Sequence, residues 1–237
     1  MAVSSLIPRA ERLIVALDVP SAGEARKLAE RLGDAVRFYK VGLELFTAGG
    51  AFELLEWLAG RGCKVFADLK LYDIPETVRR SVANLRGRGA SFLTVHGHRS
   101  VMEAAAAQKG NMRILGVTVL TSFDKDDLAE FGGAATVEKL VMERARGAAE
   151  TGCDGVVASG LEAPALKAEF GAKLLIVTPG IRPAGTDPGD QKRTVDVAQA
   201  FKNGADYIVV GRPIRGAPDP RAAAQAIQDT IKSIFKE

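Results

Sequence analysis

The chain has 237 residues, of which 47% are hydrophobic and 26% charged, and its formal net charge at pH 7 is +3. These proportions are typical of a globular protein and exclude a disordered, highly charged chain. The basic residues are spread along the sequence, which argues against a nucleic-acid footprint or a membrane-surface patch and fits a small anionic ligand. No segment has the apolar length that spans a bilayer, so we expect a cytoplasmic protein.

The chain contains two cysteines, Cys63 and Cys153. Each follows a glycine by one position and enters a predicted strand, where a small buried hydrophobic residue is the expected role. Their number and spacing indicate neither a disulfide framework nor a metal site.

Short runs rich in Val, Ile and Leu alternate with longer segments of helical periodicity almost to the last residue. The predicted strands, in chain order, are 13–18, 38–43, 64–70, 92–96, 114–120, 155–159, 174–178 and 207–211. Helix starts are indicated by a capping box from Ser21 to Glu24, a second from Ser159 to Glu162, and Pro75 in a first turn.

Strands that are apolar throughout and that each precede a helix indicate a parallel sheet whose outer face is covered by helices. Eight such units predict an α/β fold, a (β/α)8 TIM barrel formed by residues 1–237 as a single catalytic domain. An open, doubly wound sheet is the alternative fold.

Polar residues at the carboxyl ends of barrel strands are candidates for catalysis, because that end of the barrel carries the active site. Asp18 ends the first predicted strand, Lys40 lies within the second, and Asp68 and Lys70 lie in the third. Strand alternation predicts that Asp68 and Lys70 point to the same face, with Cα atoms about 7 Å apart.

Each of these residues also has a structural interpretation. Asp18 fits a turn aspartate, Lys40 can extend its amine to solvent, and Asp68 with Lys70 can form a buried ion pair. Their convergence at one barrel mouth favours a functional cluster, because uncompensated burial of charge is costly.

The run from Thr178 to Gln191 is longer than the usual connection in α/β units and is rich in glycine and proline. This length favours a binding loop or lid over a passive surface loop. After the eighth strand, Gly211 permits close backbone approach and Arg212 offers a bidentate donor. Barrels often bind phosphate in the loops after strands seven and eight, so we expect a phosphate site here.

Together these segments resemble the orotidine 5'-monophosphate decarboxylase family. The resemblance rests on the sequence DLKLYDIP from Asp68 to Pro75, Lys40, the loop beginning TPGIRP at Thr178, and VVGRPI around Gly211. The family implies a homodimeric barrel that releases carbon dioxide from orotidine monophosphate to give uridine monophosphate, with neither a metal nor an organic cofactor.

The resemblance also implies roles for individual residues. Lys70 matches the proton donor, and Lys40, Asp68 and Asp73 complete a charged tetrad in which Asp73 comes from the partner subunit. The implied substrate-binding residues are Asp18, Lys40, Asp68, Thr77, Thr121, Ser122, Pro179, Arg182, Gln191, Gly211 and Arg212.

Within that set, Asp18 and Thr77 match contacts to the ribose, with Thr77 reaching across the dimer interface. Thr121 and Ser122 match the segment that contacts the pyrimidine. His96 ends the fourth predicted strand, where a site residue and a hydrogen-bonded structural histidine are both consistent with the sequence. We therefore leave His96 outside the candidate site.

Two other functions stay open at this point. A metal-dependent sugar-phosphate aldolase or decarboxylase shares the D-x-K-x-x-D spacing, but by family resemblance it carries a metal-binding glutamate where this chain has Lys40. A catalytically silent barrel that binds a nucleotide or a protein is the second alternative, and such a barrel would be expected to have lost part of the charged cluster.

Overall fold

The computed structural model describes residues 7–123, 127, 136–182 and 193–235. Its strands are β1 (Leu13–Ala16), β2 (Phe38–Gly42), β3 (Lys64–Leu71), β4 (Phe92–His96), β5 (Arg113–Val117), β6 (Gly155–Val157), β7 (Leu175–Thr178) and β8 (Tyr207–Val210). They form a closed parallel barrel in the order β1 to β8. Among the described residues, no helix combines the length and apolarity that a bilayer crossing requires.

The helices that cover the barrel follow the strands in sequence. They are α1 (Ala22–Leu32), α2 (Leu43–Ala48), α3 (Ala51–Gly60), α4 (Pro75–Leu85), α5 (Arg99–Ala106), α6 (Val137–Glu150), α7 (Ala163–Phe170), α8 (Val197–Lys202), α9 (Arg212–Arg215) and α10 (Pro220–Ile234).

Closure of the sheet depends on β1, which pairs in parallel with β2 on one side and with β8 on the other, where Leu13 faces Ile208. This pairing confirms the predicted (β/α)8 barrel and shows that the alternative open sheet is wrong. The outward-facing strand residues pack against the helices in one large apolar layer, represented by Val15, Val41 and Val65.

Aromatic side chains fill the barrel interior at the amino-terminal ends of the strands. The ring of Phe92 meets the rings of Phe38 and Tyr207 edge to face, with centroids 4.9 and 5.2 Å apart. Phe66 and Ile14 belong to the same interior cluster. Because side chains alternate along a strand, the residue two positions after each interior residue points into the barrel one layer higher.

Several predicted boundaries were wrong by one to three residues. Strands β1, β2, β5, β6 and β8 end earlier than predicted, at Ala16, Gly42, Val117, Val157 and Val210. Asp18 therefore lies beyond its strand, in the connection to α1. Ladder pairing ends before the apolar runs do, since the chain leaves the sheet at the barrel mouth.

The predicted helix starts have mixed outcomes. Ser21 accepts a hydrogen bond from the backbone N of Glu24, and Pro75 begins α4, as predicted. The second capping box does not begin a helix, because α7 starts only at Ala163. There the Glu162 carboxylate accepts from the Ser159 backbone N at 2.9 Å, which closes a turn before the helix.

The two cysteines are both free thiols. Cys153 is buried as predicted, and burial raises the pKa of its thiol to about 11. Cys63 is only partly buried, so the expectation of a fully buried side chain was wrong for it.

Candidate active site

The mouth of the barrel contains a cavity of about 480 Å³, a volume suited to a small-molecule ligand. The predicted site residues that line it are Asp18, Lys40, Asp68, Lys70, Thr121, Ser122, Pro179, Arg182, Gly211 and Arg212. Residues predicted on six separate connections and strands are thus brought to one place by barrel closure.

Four charged side chains form a continuous network in which the charges alternate. Lys40 Nζ lies 2.9 Å from Asp18 Oδ1 and 3.4 Å from Asp68 Oδ2. Lys70 Nζ lies 2.9 Å from the same Asp68 oxygen. A Cβ at Gly42 would lie only 3.1 Å from the Lys40 amine, so the glycine leaves room for the first pair. Lys40 does not extend its amine to solvent, so that structural interpretation of Lys40 is wrong.

Asp68 is at the centre of this network and is almost fully buried. Its second oxygen, Oδ1, accepts a hydrogen bond of 2.8 Å from Thr94 Oγ1. The same Thr94 hydroxyl accepts from the Lys70 backbone N at 3.0 Å. Thr94 therefore orients both residues, and the sequence analysis missed it. Strand alternation could have found it, because it lies two positions after the interior residue Phe92.

The ionisation of the network is set by competition between burial and charge. Burial lowers the pKa of Lys40, but the carboxylates of Asp68 and Asp18 outweigh it, so that the pKa lies above its ordinary value. Burial raises the pKa of Asp68, but Lys40 and Lys70 outweigh it and the pKa lies below its ordinary value. Lys40 is therefore a cation and Asp68 an anion around neutral pH.

Lys70 reaches this position by an irregularity in β3. Ala67 pairs with Leu93 of β4 but Leu71 pairs with Val95, so β3 has two more residues than β4 over this stretch. Lys70 has φ of 48°, which makes it the one non-glycine residue with positive φ among those described. The predicted meeting of Asp68 and Lys70 is confirmed, but regular strand alternation is not its cause.

The opposite side of the cavity is cationic. Arg182 follows β7, and Arg212 and Arg215 lie in α9 after β8. The Arg215 guanidinium donates a hydrogen bond to the Asp18 carbonyl, which ties the end of β1 to the connection after β8. Arg215 was not predicted as a site residue, although it lies one helical turn beyond Arg212. This side suits an anionic group such as a phosphate.

An apolar wall lines the cavity at the carboxyl ends of β5 and β6. It is formed by Val117, Val119, Leu120 and Val157, and it continues into the hydroxyl side chains of Thr121 and Ser122. A flat, partly polar group would find both apolar contact and hydrogen-bonding partners along this wall.

Three predicted site residues are not part of this arrangement. Asp73 and Thr77 are exposed on the surface, outside the cavity lining, and Asp73 Oδ1 accepts from the backbone N of its neighbour Ile74 at 2.7 Å. Gln191, in the loop expected to bind phosphate, lies outside the described residues.

His96 lies beside the cavity without lining it. Its ring centroid is 5.0 Å from that of Tyr72. Burial, together with the charges of Arg144 and Lys70, lowers the pKa of His96 below its ordinary value. These contacts support a structural histidine that is neutral at pH 7.

Fold and site together define a class, a (β/α)8 barrel whose mouth places an alternating lysine and aspartate network next to an arginine-rich region. The chain belongs to the Orotidine 5'-phosphate decarboxylase / HUMPS family, whose model matches residues 11–227.

Individual relatives agree with this membership. A protein of Methylococcus capsulatus named orotidine 5'-phosphate decarboxylase is 58% identical over 230 residues, covering 97% of this chain and 95% of that protein. One of the same name from Methylobacterium radiotolerans is 54% identical over 218 residues, covering 92% and 94%. The crystal structure of orotidine 5'-phosphate decarboxylase from Lactobacillus acidophilus superposes with a TM-score of 0.83 at 35% identity, covering 93% of this chain and 99% of that one.

Proposed function

We propose that this protein converts orotidine 5'-monophosphate to uridine 5'-monophosphate and carbon dioxide, a step of pyrimidine biosynthesis. The observation that carries the proposal is the contact of 2.9 Å between Lys70 Nζ and Asp68 Oδ2 inside a cavity that also has an arginine-rich side. Relatives of 52 to 58% identity carry the name of this activity. The cytoplasmic location expected from the sequence remains a prediction.

The reaction breaks the bond between C6 of the pyrimidine and its carboxylate. Carbon dioxide leaves, and the electron pair stays on C6 in the plane of the ring, where the π system does not delocalise it. The Lys70 ammonium supplies a fixed positive charge next to C6 and then donates its proton there, forming the C–H bond of the product. The neutral amine regains a proton from solvent before the next turnover.

Lys40 and Asp68 keep Lys70 in this role. Asp68 accepts a hydrogen bond from Lys70 and fixes the position of its amine, and Lys40 balances the buried charge of Asp68. The Asp68 carboxylate, next to the departing carboxylate of the substrate, also disfavours the bound substrate relative to the transition state.

The Lys40 amine argues against the metal-dependent alternative. It lies between the Asp18 and Asp68 carboxylates, the position that a metal ion would need. A cation there repels a second one, so these two carboxylates are unsuited to a metal site and the reaction is proposed to proceed without a cofactor.

The remaining predicted residues complete the substrate site in the proposal. Arg182, Gly211 and Arg212 bind the phosphate together with Gln191, while Thr121 and Ser122 contact the pyrimidine beside Pro179. Asp18 contacts the ribose. Binding energy from the phosphate, far from C6, is used to exclude water and orient the base.

A homodimer supplies the last two residues. Asp73 and Thr77 are exposed in one chain, and the apolar side chains Tyr72 and Ile74 next to Asp73 are 65% and 67% exposed. Exposed apolar residues of this size are typical of an interface. We propose that Asp73 and Thr77 enter the active site of the partner subunit.

Replacing Lys70 tests the function. We expect Lys70→Ala to lose nearly all conversion of orotidine monophosphate, followed by ultraviolet absorbance, while calorimetry still shows binding of uridine monophosphate. Lys64→Ala is the matched control, because Lys64 lies at the opposite end of the same strand and pairs with Glu11. Wild-type turnover by Lys70→Ala contradicts the mechanism. If the wild-type protein instead loses its activity on chelation and regains it with magnesium, the sugar-phosphate alternative is favoured.

A further inference from the structure

One guanidinium at the barrel mouth connects three successive loops. Arg193 Nη1 lies 2.6 Å from Glu162 Oε1, in the connection between β6 and α7. Arg193 Nη2 donates to the carbonyls of Leu120 at 2.9 Å and Val119 at 3.3 Å, in the segment after β5. The side chains of Arg193 and Glu162 are only 11% and 7% exposed, so the connection is internal.

Glu162 is itself fixed in place. Its second carboxylate oxygen accepts from the Ser159 backbone N at 2.9 Å. The arginine therefore has a preorganised partner on one side and two backbone acceptors on the other, which is the planar geometry that guanidinium donors satisfy and an ammonium does not.

The segment that Arg193 contacts forms the wall of the cavity. β5 ends at Val117, and the following residues Val119 and Leu120 line the cavity together with Thr121 and Ser122. After β5, this segment has left the ladder of the sheet, and a turn bond from Phe123 N to Leu120 O holds its far end.

We propose that Arg193 is a positioning residue that fixes the segment from Val119 to Ser122 against the pyrimidine ring of the bound nucleotide, with Glu162 holding the guanidinium in place. The inference rests on the proposed function, because it names the base of that substrate as the group whose contacts Arg193 controls. Arg193 itself contacts the backbone and Glu162, so it acts through Thr121 and Ser122.

A positioning role predicts different effects on two ligands, whereas a general loss of stability would weaken the binding of both. The cavity wall contacts the base, while Arg182 and Arg212 are proposed to bind the phosphate together with Gln191. Arg182 and Arg212 lie outside the segment from Val119 to Ser122, so releasing the wall weakens a ligand that carries a base more than a ligand that has only the sugar phosphate.

The test compares binding of uridine monophosphate and ribose 5-phosphate to the full chain by calorimetry. We expect Arg193→Gln to weaken the binding of uridine monophosphate by about tenfold, a change equal to the free energy of one good hydrogen bond. The affinity for ribose 5-phosphate should fall clearly less than the affinity for uridine monophosphate. Arg193→Lys, which keeps the charge but donates from one point, should recover only part of the difference.

The surface pair of Arg146 and Glu169 provides a matched control. It has the same contact distance of 2.6 Å, on the outer face of α6, and Arg146→Gln should change neither affinity. If Arg193→Gln does not fold, the neutral pair Arg193→Gln with Glu162→Gln replaces it, since removing both charges avoids an unpaired buried carboxylate.

Three outcomes overturn parts of the interpretation. An equal loss for both ligands, or no loss for either, overturns the positioning role of Arg193. A wild-type protein that binds both ligands but converts no orotidine monophosphate overturns the proposed function and leaves the role of Arg193 to the binding comparison.

Discussion

Thr94 shows how the chemistry of a single residue depends on its layer in the barrel. Phe38, Phe66 and Phe92 all belong to the interior cluster, and Lys40, Asp68 and Thr94 lie two positions beyond them. The sequence made the two charged members obvious, because charge is rare in an apolar strand. A buried threonine is common, so its place in the network is visible only once the layer of each strand is known.

Substitutions at Thr94 distinguish the hydrogen bonding of its hydroxyl from the packing of its side chain. Thr94→Val removes the bond to Asp68 and leaves the Lys70 backbone N without its acceptor, so we expect a loss of about 1 to 3 kcal/mol in the free energy of unfolding. We also expect turnover to fall about tenfold, because Asp68 and Lys70 lose a common support. Chemical denaturation and steady-state kinetics measure the two effects.

The control for this prediction is Thr94→Ser, which keeps the hydroxyl and loses only a methyl group. It should cost about 1 kcal/mol of stability through the small cavity and keep most of the turnover. Equal turnover losses in the serine and valine variants would show that packing, and not hydrogen bonding, is what Thr94 contributes.

The ionisation of Lys40 and Asp68 predicts a wide pH range over which the network stays charged. Asp68, with a lowered pKa, contributes stability above its unfolded pKa of about 3.9 and loses it as pH falls further. Lys40, with a raised pKa, contributes stability below about 10.4 and loses it as pH rises through its folded pKa.

We therefore expect neither residue to add an ionisation to the pH profile of turnover between about pH 5 and 9. The profile is measured for the wild type and for His96→Gln, since His96 is a titratable group beside the cavity whose pKa burial holds below its ordinary value. A change in turnover between pH 6 and 8 that disappears in Lys40→Met would contradict this assignment.

At the scale of single elements, β3 departs most from what its sequence indicates. Its pattern favours a regular strand, and period-two alternation correctly places Phe66 and Asp68 inside. The left-handed backbone of Lys70 is a tertiary result, since the Thr94 hydroxyl and the Asp68 carboxylate hold both ends of that residue. Such strain is found where the surrounding structure fixes it, often at functional sites.

The opposite, amino-terminal end of the strands is held by two aspartates, of which Asp206 is buried and Asp154 is partly buried. Asp206, just before β8, accepts from the Ile176 backbone N at 3.0 Å and from Lys167 Nζ at 3.0 Å. Asp154, just before β6, accepts in the same way from Ile114 N and Lys109 Nζ, at 2.9 Å each. Polar groups at this end of a barrel contribute to stability, whereas those at the other end contribute to catalysis.

Asp206→Asn tests this division. It removes the charge that pairs with the partly exposed Lys167 amine and weakens the hydrogen bonds of the buried side chain, so we expect a loss of about 1 to 3 kcal/mol in the free energy of unfolding. Turnover by the folded fraction should be unchanged. Denaturant unfolding and kinetics at a temperature well below the transition measure the two quantities.

Asp229→Asn is the control, because Asp229 pairs with Lys232 on the exposed face of α10 and should cost less than about 1 kcal/mol. A drop in turnover with Asp206→Asn equal to its drop in the folded fraction would agree with the division. A larger drop would connect the two ends of the barrel.

For the whole molecule, the eight apolar runs and their spacing were enough to predict the barrel, because closure of a parallel sheet with helices outside leaves few other solutions. The order of the strands was also enough to predict the site residues that lie on strands or just after them. Arg193 and Arg215 were missed because their partners, Leu120 and the Asp18 carbonyl, are distant in sequence and become neighbours only through closure.

Asp73 is the residue on which the proposed shared active site depends. It follows β3, at the turn into α4, among exposed apolar side chains, and in the proposed dimer it projects across a two-fold interface. Such an interface is isologous, so each active site would take Lys70 from one chain and Asp73 from the other, with Thr77 one helical turn further on.

We predict that two defective proteins restore activity when they share a dimer. In a heterodimer of Lys70→Ala with Asp73→Asn, one site has both changes and the other has both residues intact. We expect turnover near half that of the wild-type dimer, measured on heterodimers purified through two different affinity tags, although each parent homodimer is impaired. If verified heterodimers are no more active than their parents, Asp73 acts within its own chain, and the shared active site is wrong.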